Sequence, residues 1–292
     1  MRLSIFPQML TPWSLLLMIA YTSDDAAEVD WVVEAVELGE PVASGTGYVF
    51  DSPQAAWLAA EHVVPGLTWT WPATNVPLFL WNDVLLGENV SDEGTCPYVT
   101  ASGSSETWKT DCRSQDGYDW DGAFSVEETE EDLWTRFAYD LALEVASEVE
   151  GRVFDRVQLS GPMVYVDGDD DPMVRSSQSN LIIEASGYWS RGFEDELEGA
   201  WSRLALSGRW EGSEGEDGEN VTIEAAVDLG SWDGFTVSGV VTVDTCLLEP
   251  RGEVTLVGAQ TATLAFQGED ACDGCAELTI DGERQANACR GF

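Results

Sequence analysis

The sequence predicts a mainly β protein: a large antiparallel meander, folded as a sandwich or a strongly curled sheet, with short N-terminal helices. Three observations predict it. From Cys96 onward, short runs alternate apolar and polar residues; glycine, aspartate and asparagine separate them; and six cysteines flank several of the runs. A period of two sends neighbouring side chains to opposite faces of a strand. Turn-forming residues between such runs are what hairpins require.

The chain opens with "MRLSIFPQMLTPWSLLLMIAYTSDD", in which Arg2 precedes an apolar run and then acidic residues. That order is expected of a secretory signal over residues 1–22, cut after Thr22, with Ala20 and Thr22 at the −3 and −1 positions. Pro7, Gln8, Thr11 and Pro12 interrupt the run, so no stable membrane anchor is expected. Residues 23–95 read as a helical and irregular segment. "DDAAEVDWVVEAVEL" spaces Val29, Val32, Val33 and Val36 at helical intervals. "DSPQAAWLAAEHVV" is a second helix, with Ser52 as cap and Pro53 in its first turn.

Residues 96–292 read as the β-rich, disulfide-stapled region. Residues 133–149 alternate apolar and polar, yet Leu133, Phe137, Leu141 and Val145 also stand four apart; we expect a strand. In "VTIEAAVDL" one face takes Val221, Ile223, Ala225, Val227 and Leu229, and the other takes Thr222, Glu224 and Asp228. "FTVSGVVTV", "EVTLVGAQTATLAF" and "AELTIDG" continue the pattern. Ser-Gly pairs at 160, 186, 207 and 238 recur too unevenly for a solenoid. They suit strands that each need a glycine where no side chain fits. An outer-membrane barrel is the weaker alternative, because "NACRGF" is not an alternating final strand.

Charge narrows the partners. Fifty-four acidic residues face 13 basic ones, for a net charge of −41. Nucleic acid and anionic membranes both need Lys and Arg to displace counterions, so neither is an expected partner. Cations, glycans or other envelope proteins remain open.

An even set of cysteines in an exported chain argues first for disulfides among Cys96, Cys112, Cys246, Cys272, Cys275 and Cys289. The Cys-x-x-Cys pair at 272 and 275 sits among Glu269, Asp270, Asp273 and Glu277, which disfavours a reactive thiolate. One knuckle and one histidine, His62, fall short of a zinc site. Cys96 and Cys112 flank a hairpin turning near Gly103, and closing it contributes about 3 kcal/mol. Cys275 and Cys289 flank a second hairpin at "DGERQ". Cys246 and Cys272 would then meet at one sheet edge, although four cysteines still allow three connectivities.

Two further sites are candidates. "VDGDDDPM" gathers Asp167, Asp169, Asp170 and Asp171, a turn able to offer oxygens to calcium as a cofactor. "SQDGYDWDGAF" is similar, with Asp116, Asp119 and Asp121. Trp108, Trp120, Trp189 and Trp210 fall in or beside expected strands, where exposed rings would stack on sugars and buried ones would be core. Catalysis finds little support: His62 is expected at a helix surface or cap, and no nucleophile elbow or phosphate loop occurs. A glycosidase needs only two carboxylates, which 54 acids do not single out.

The spaced pattern "CPYVTASGSSETW…DC", then "C…EPRGEVTLVG…CDGCAELTIDGE…C", resembles uncharacterised exported, cysteine-bearing β-rich proteins of myxobacterial type. That group has no assigned activity, so the resemblance implies compartment and fold style only. The expectation is an exported, acidic β protein of periplasm, cell surface or exterior, structural or binding in role. A calcium-dependent or tryptophan-based carbohydrate-binding module is the first alternative, and a carboxylate-dependent hydrolase the second.

Overall fold

The computed structural model describes residues 38–67 and, between 96 and 290, the strands with part of their connections. Residues 1–37, 68–95, 146–155, 168–174 and 187–201 are the longest stretches outside it, and the expected signal and first helix fall there. Among the described residues there is one helix, α1 (Pro53–Glu61), and a single antiparallel sheet. Its early strands are β1 (Tyr98–Ser102), β2 (Ser105–Lys109), β3 (Cys112–Arg113), β4 (Tyr118–Thr129) and β5 (Trp134–Val145). The middle is β6 (Arg156–Asp167), β7 (Arg175–Ser186), β8 (Ser202–Gly215), β9 (Gly218–Leu229) and β10 (Asp233–Val243). The last are β11 (Arg251–Val257), β12 (Thr261–Gln267), β13 (Cys275–Ile280), β14 (Glu283–Arg284) and β15 (Ala288–Cys289).

The strands pair in chain order from β4 to β14, with β1 and β2 before them; β3 pairs β4, and β15 folds back on β13. This is the expected meander. One sheet forms, not two, so the curled form stands and the sandwich does not. The path from β1 to β14 does not close.

The alternation places one apolar face inward. Phe235, Val237 and Val241 of β10 lie opposite Val227, Ala225 and Val221 of β9. That row continues through Leu206 of β8 and Leu181 of β7. Segment 134–145 is strand β5, in register with β4 and β6. Its fourfold apolar spacing does not contradict this, because every period-two pattern also repeats at four.

The inner face closes on α1. Ser52 caps the helix, its hydroxyl accepting from the Ala55 N–H, and Pro53 occupies the first turn. Nine residues are too few for a stable isolated helix. Packing supplies the rest, with Ala56, Trp57, Ala59 and Ala60 fully buried. Trp57 meets Phe266 of β12 edge-on, with centroids 6.1 Å apart. Trp210 of β8 donates its indole N–H to the Val63 carbonyl at 2.9 Å. β8 and β12 are four strand spacings apart, about 19 Å on a flat sheet. A helix is about 10–12 Å across, so α1 and the residues just after it reach both because the sheet curls around them.

Three of the four Ser-Gly pairs fall inside strands, at Gly161, Gly208 and Gly239; Gly187 lies outside the described residues. At Gly161, φ is +109° and a Cβ would collide with the Asn180 carbonyl oxygen. Pro162 follows with no N–H to give, and the β6–β7 ladder skips from Ser160↔Ile182 to Met163↔Ser179. Gly161→Ala is expected to lower stability by about 2–3 kcal/mol in urea unfolding of the oxidised protein.

Candidate functional site

The feature that most distinguishes this sheet is a polar row on its outer face, covered by the segment that leads into α1. Asn180 of β7 and Ser207 of β8 are register partners, and Asp228 of β9 lies opposite Ala205 of β8. All three point away from the apolar face because each occupies the phase opposite to the buried Leu181, Leu206 and Val227 of its own strand. Asp228 is nevertheless only 4% exposed, against its expected place on the solvated face. Residues 38–48 lie over it as a strap.

Each side chain reads the strap's main chain. The Asn180 amide donates to the carbonyls of Leu38 (3.1 Å) and Glu40 (2.7 Å). Its oxygen accepts from the Val42 N–H and the Ser207 hydroxyl. Ser207 Oγ accepts from the N–H groups of Val42 (2.8 Å) and Ala43 (3.1 Å). Asp228 takes the Ser44 N–H (2.8 Å), the Ser44 hydroxyl (3.0 Å) and the Gly45 N–H (2.9 Å). At Gly234, opposite Asp228, a Cβ would collide with the carboxylate, so this close approach requires glycine. Beyond it, Tyr48 donates to the Gly234 carbonyl and the chain turns inward. Phe50 then packs near Phe235, with centroids 6.0 Å apart.

A second buried carboxylate organises the cysteine-rich end. Glu249 is fully buried. Its Oε1 accepts from the N–H groups of Gln267 (2.8 Å) and Gly268 (3.1 Å), and its Oε2 from those of Asp273 and Gly274, both at 3.1 Å. Hydrogen bonds to a charged acceptor are the strong kind. Four of them fix the turns around Cys272 and Cys275. The cysteines pair as the hairpins suggested: Cys96–Cys112, Cys246–Cys272 and Cys275–Cys289, leaving no free thiol.

A third polar group lies on α1. Glu61 is 2% exposed; its Oε1 accepts from the Trp57 indole at 2.5 Å, and its Oε2 has no partner among the described residues. Burial raises its pKa, against the Trp57 bond and the Arg290 charge. His62 follows as the C-cap residue. The cap expectation holds and the surface one does not, because His62 is 4% exposed. Its Nδ1 donates to the Leu58 carbonyl at 2.6 Å, and burial lowers its pKa to about 4. A buried, neutral, main-chain-bound imidazole is a packing element and not a general base facing substrate.

The other expected sites fare unevenly. Trp120 and Trp210 are buried, at 3% and 1% exposure, so neither ring can stack on a sugar; the inward phase of the alternation puts both in the core. Trp108 stands in β2 opposite Phe124, and Trp189 lies outside the described residues. Asp167 ends β6 opposite Arg175, whereas Asp169, Asp170, Asp171 and Asp116 lie outside the described residues. Asp119 and Asp121 are exposed, and Asp119 pairs with Arg113 at 3.4 Å. Among the described residues, no cluster of three or more His, Cys, Asp or Glu could hold a metal. A depression of about 10 Å³ between β6, β7 and β8, room for one water, holds one carboxylate, Glu211, ion-paired with Arg209. That is not the acid pair of a glycosidase.

No family model, curated protein or solved structure matches the chain. What the geometry defines is a class: a disulfide-stapled antiparallel sheet wound about one helix, with buried carboxylates anchoring its irregular segments.

Each of these three groups has a measurable consequence. Glu249→Gln turns an NH2 toward main-chain donors and is expected to cost about 3 kcal/mol in denaturant unfolding with disulfides intact. For His62, the folded pKa lies below the unfolded 6.5, so its stabilising contribution is full above pH 6.5 and is lost as pH falls toward 4. The stability gap between wild type and His62→Gln is expected to narrow by about 3 kcal/mol from pH 7 to pH 4. Glu61 has the opposite sign: its contribution is present below pH 4.5 and is lost as pH rises through the raised folded value. Glu61→Gln is therefore expected to gain on wild type as pH rises, measured in the same melts.

Proposed function

We propose that this chain is an exported, strongly acidic β protein of the cell envelope or exterior, with a structural or binding role. The observation that carries the reading is the pairing of all six cysteines into three disulfides. Such bonds persist in oxidising compartments and are reduced in most cytosols. The order of charge and apolarity in residues 1–22 supports the same compartment. Among the described residues no helix is long and apolar enough to cross a membrane. A net charge of −41 supports a role in a cation-containing medium, where counterions screen the surface. The buried carboxylates are fully engaged in holding segments together at Glu249 and Asp228, which supports structure over chemistry.

The test is thiol titration with fractionation. Native protein is expected outside the cytoplasm with no reactive thiol, and non-reducing peptide maps are expected to join 96 to 112, 246 to 272 and 275 to 289. Six reactive thiols, or residence in the reducing interior, overturns the proposal.

A further inference from the structure

We propose that residues 38–48 are a latch that opens as a unit while the sheet beneath stays folded, with Asn180, Ser207 and Asp228 as its catch. The strap's anchors run from its main chain to side chains of β7, β8 and β9, so breaking them removes no bond from the sheet ladder. Among the described residues, main-chain bonds from the strap to the sheet begin near its end, where Gly234 donates to Thr46 and Tyr48 donates to Gly234.

The strap is also poor in buried apolar surface. Ala43 and Gly45 are buried, whereas Pro41, Ser44, Thr46 and Gly47 are exposed. Segments with few apolar contacts open locally at a lower free energy than the core. The next residues differ in kind: Phe50, Ala56 and Trp57 are core. Opening therefore stops at Tyr48–Phe50, and α1 stays in place.

The catch also dictates order of assembly. Its three residues lie 138 to 184 positions downstream of their strap partners and come from three strands. Until β7, β8 and β9 pair in register, no row of acceptors exists for the strap. The latch closes only after these three strands have paired.

Hydrogen exchange on the full oxidised chain tests this. In wild type, the amides of Val42, Ala43, Ser44 and Gly45 are expected to exchange faster than those of β8–β10. Asp228→Asn and Asn180→Ala, made separately, are expected to speed the strap amides about ten-fold or more, with β8–β10 changed less than about two-fold. Thr242→Val removes an outer-face bond to Asn220 away from the strap and is expected to leave its amides unchanged. Joint acceleration of strap and sheet, strap amides unmoved in both catch variants, or a strap response to Thr242→Val each overturns the latch.

Discussion

A single antiparallel sheet has an apolar face that must be covered, and among the described residues one short helix with its flanking residues lies against it. The meander brings Leu181, Leu206, Val227, Phe235, Leu256 and Leu264 onto that face. A flat sheet of this breadth would leave most of the row in water, at about 25 cal/mol for each Å² of apolar surface. Curling lets strands as far apart as β8 and β12 meet the segment formed by α1 and the residues just after it. The helix depends on the sheet equally, since nine residues with Ala56, Trp57, Ala59 and Ala60 buried against it have little stability alone.

The chain's charge balance decides how its buried carboxylates are satisfied. With 13 basic residues among 54 acids, cations are scarce. An ion pair across the interior would also carry a desolvation cost for both partners. Glu249 and Asp228 are met by main-chain N–H groups, which every residue but proline carries. Each acid gathers N–H groups that no ladder uses: Glu249 those of the turns at Gly268 and Gly274, Asp228 those of the strap. In this chain an acidic residue does the anchoring that an arginine does elsewhere.

Much of the sheet was legible because it is a meander. Sequential strands pair with their neighbours, so alternation and turn residues within 215–290 carried both strand positions and partners, and the pairing of Cys246 with Cys272 and Cys275 with Cys289 came with them. The helix at Ser52 and Pro53 was legible from its cap. The outer-face catch was not. Asp228 sits where alternation places a solvated residue, and what buries it lies 184 residues upstream. No local pattern encodes that meeting. Glu249 was hidden likewise, since no apolar–polar alternation marks it and its partners lie 18 to 25 residues on. Glycines at 268 and 274, beside the cysteines, were the available signal: they mark turns with main-chain N–H groups to spare. For Trp120 and Trp210, alternation gave the strand but not which face would be dry.

The distribution of staples follows from strand length. The inner strands β4 to β10 run 11 to 14 residues, and among described residues no disulfide joins one to another. At the two ends the strands shrink: β3, β14 and β15 have two residues each. A two-residue strand offers too few ladder bonds to hold an end against fraying. Those ends carry the sulfur bridges. Cys96–Cys112 ties the approach to β1 onto β3, Cys275–Cys289 ties β13 to its register partner in β15, and Cys246–Cys272 closes the loop that Glu249 organises. Self-repulsion among so many acids favours expansion and acts first where contacts are fewest. Covalent closure restricts the unfolded chain at those same places, so sulfur holds the sheet where hydrogen bonding runs short.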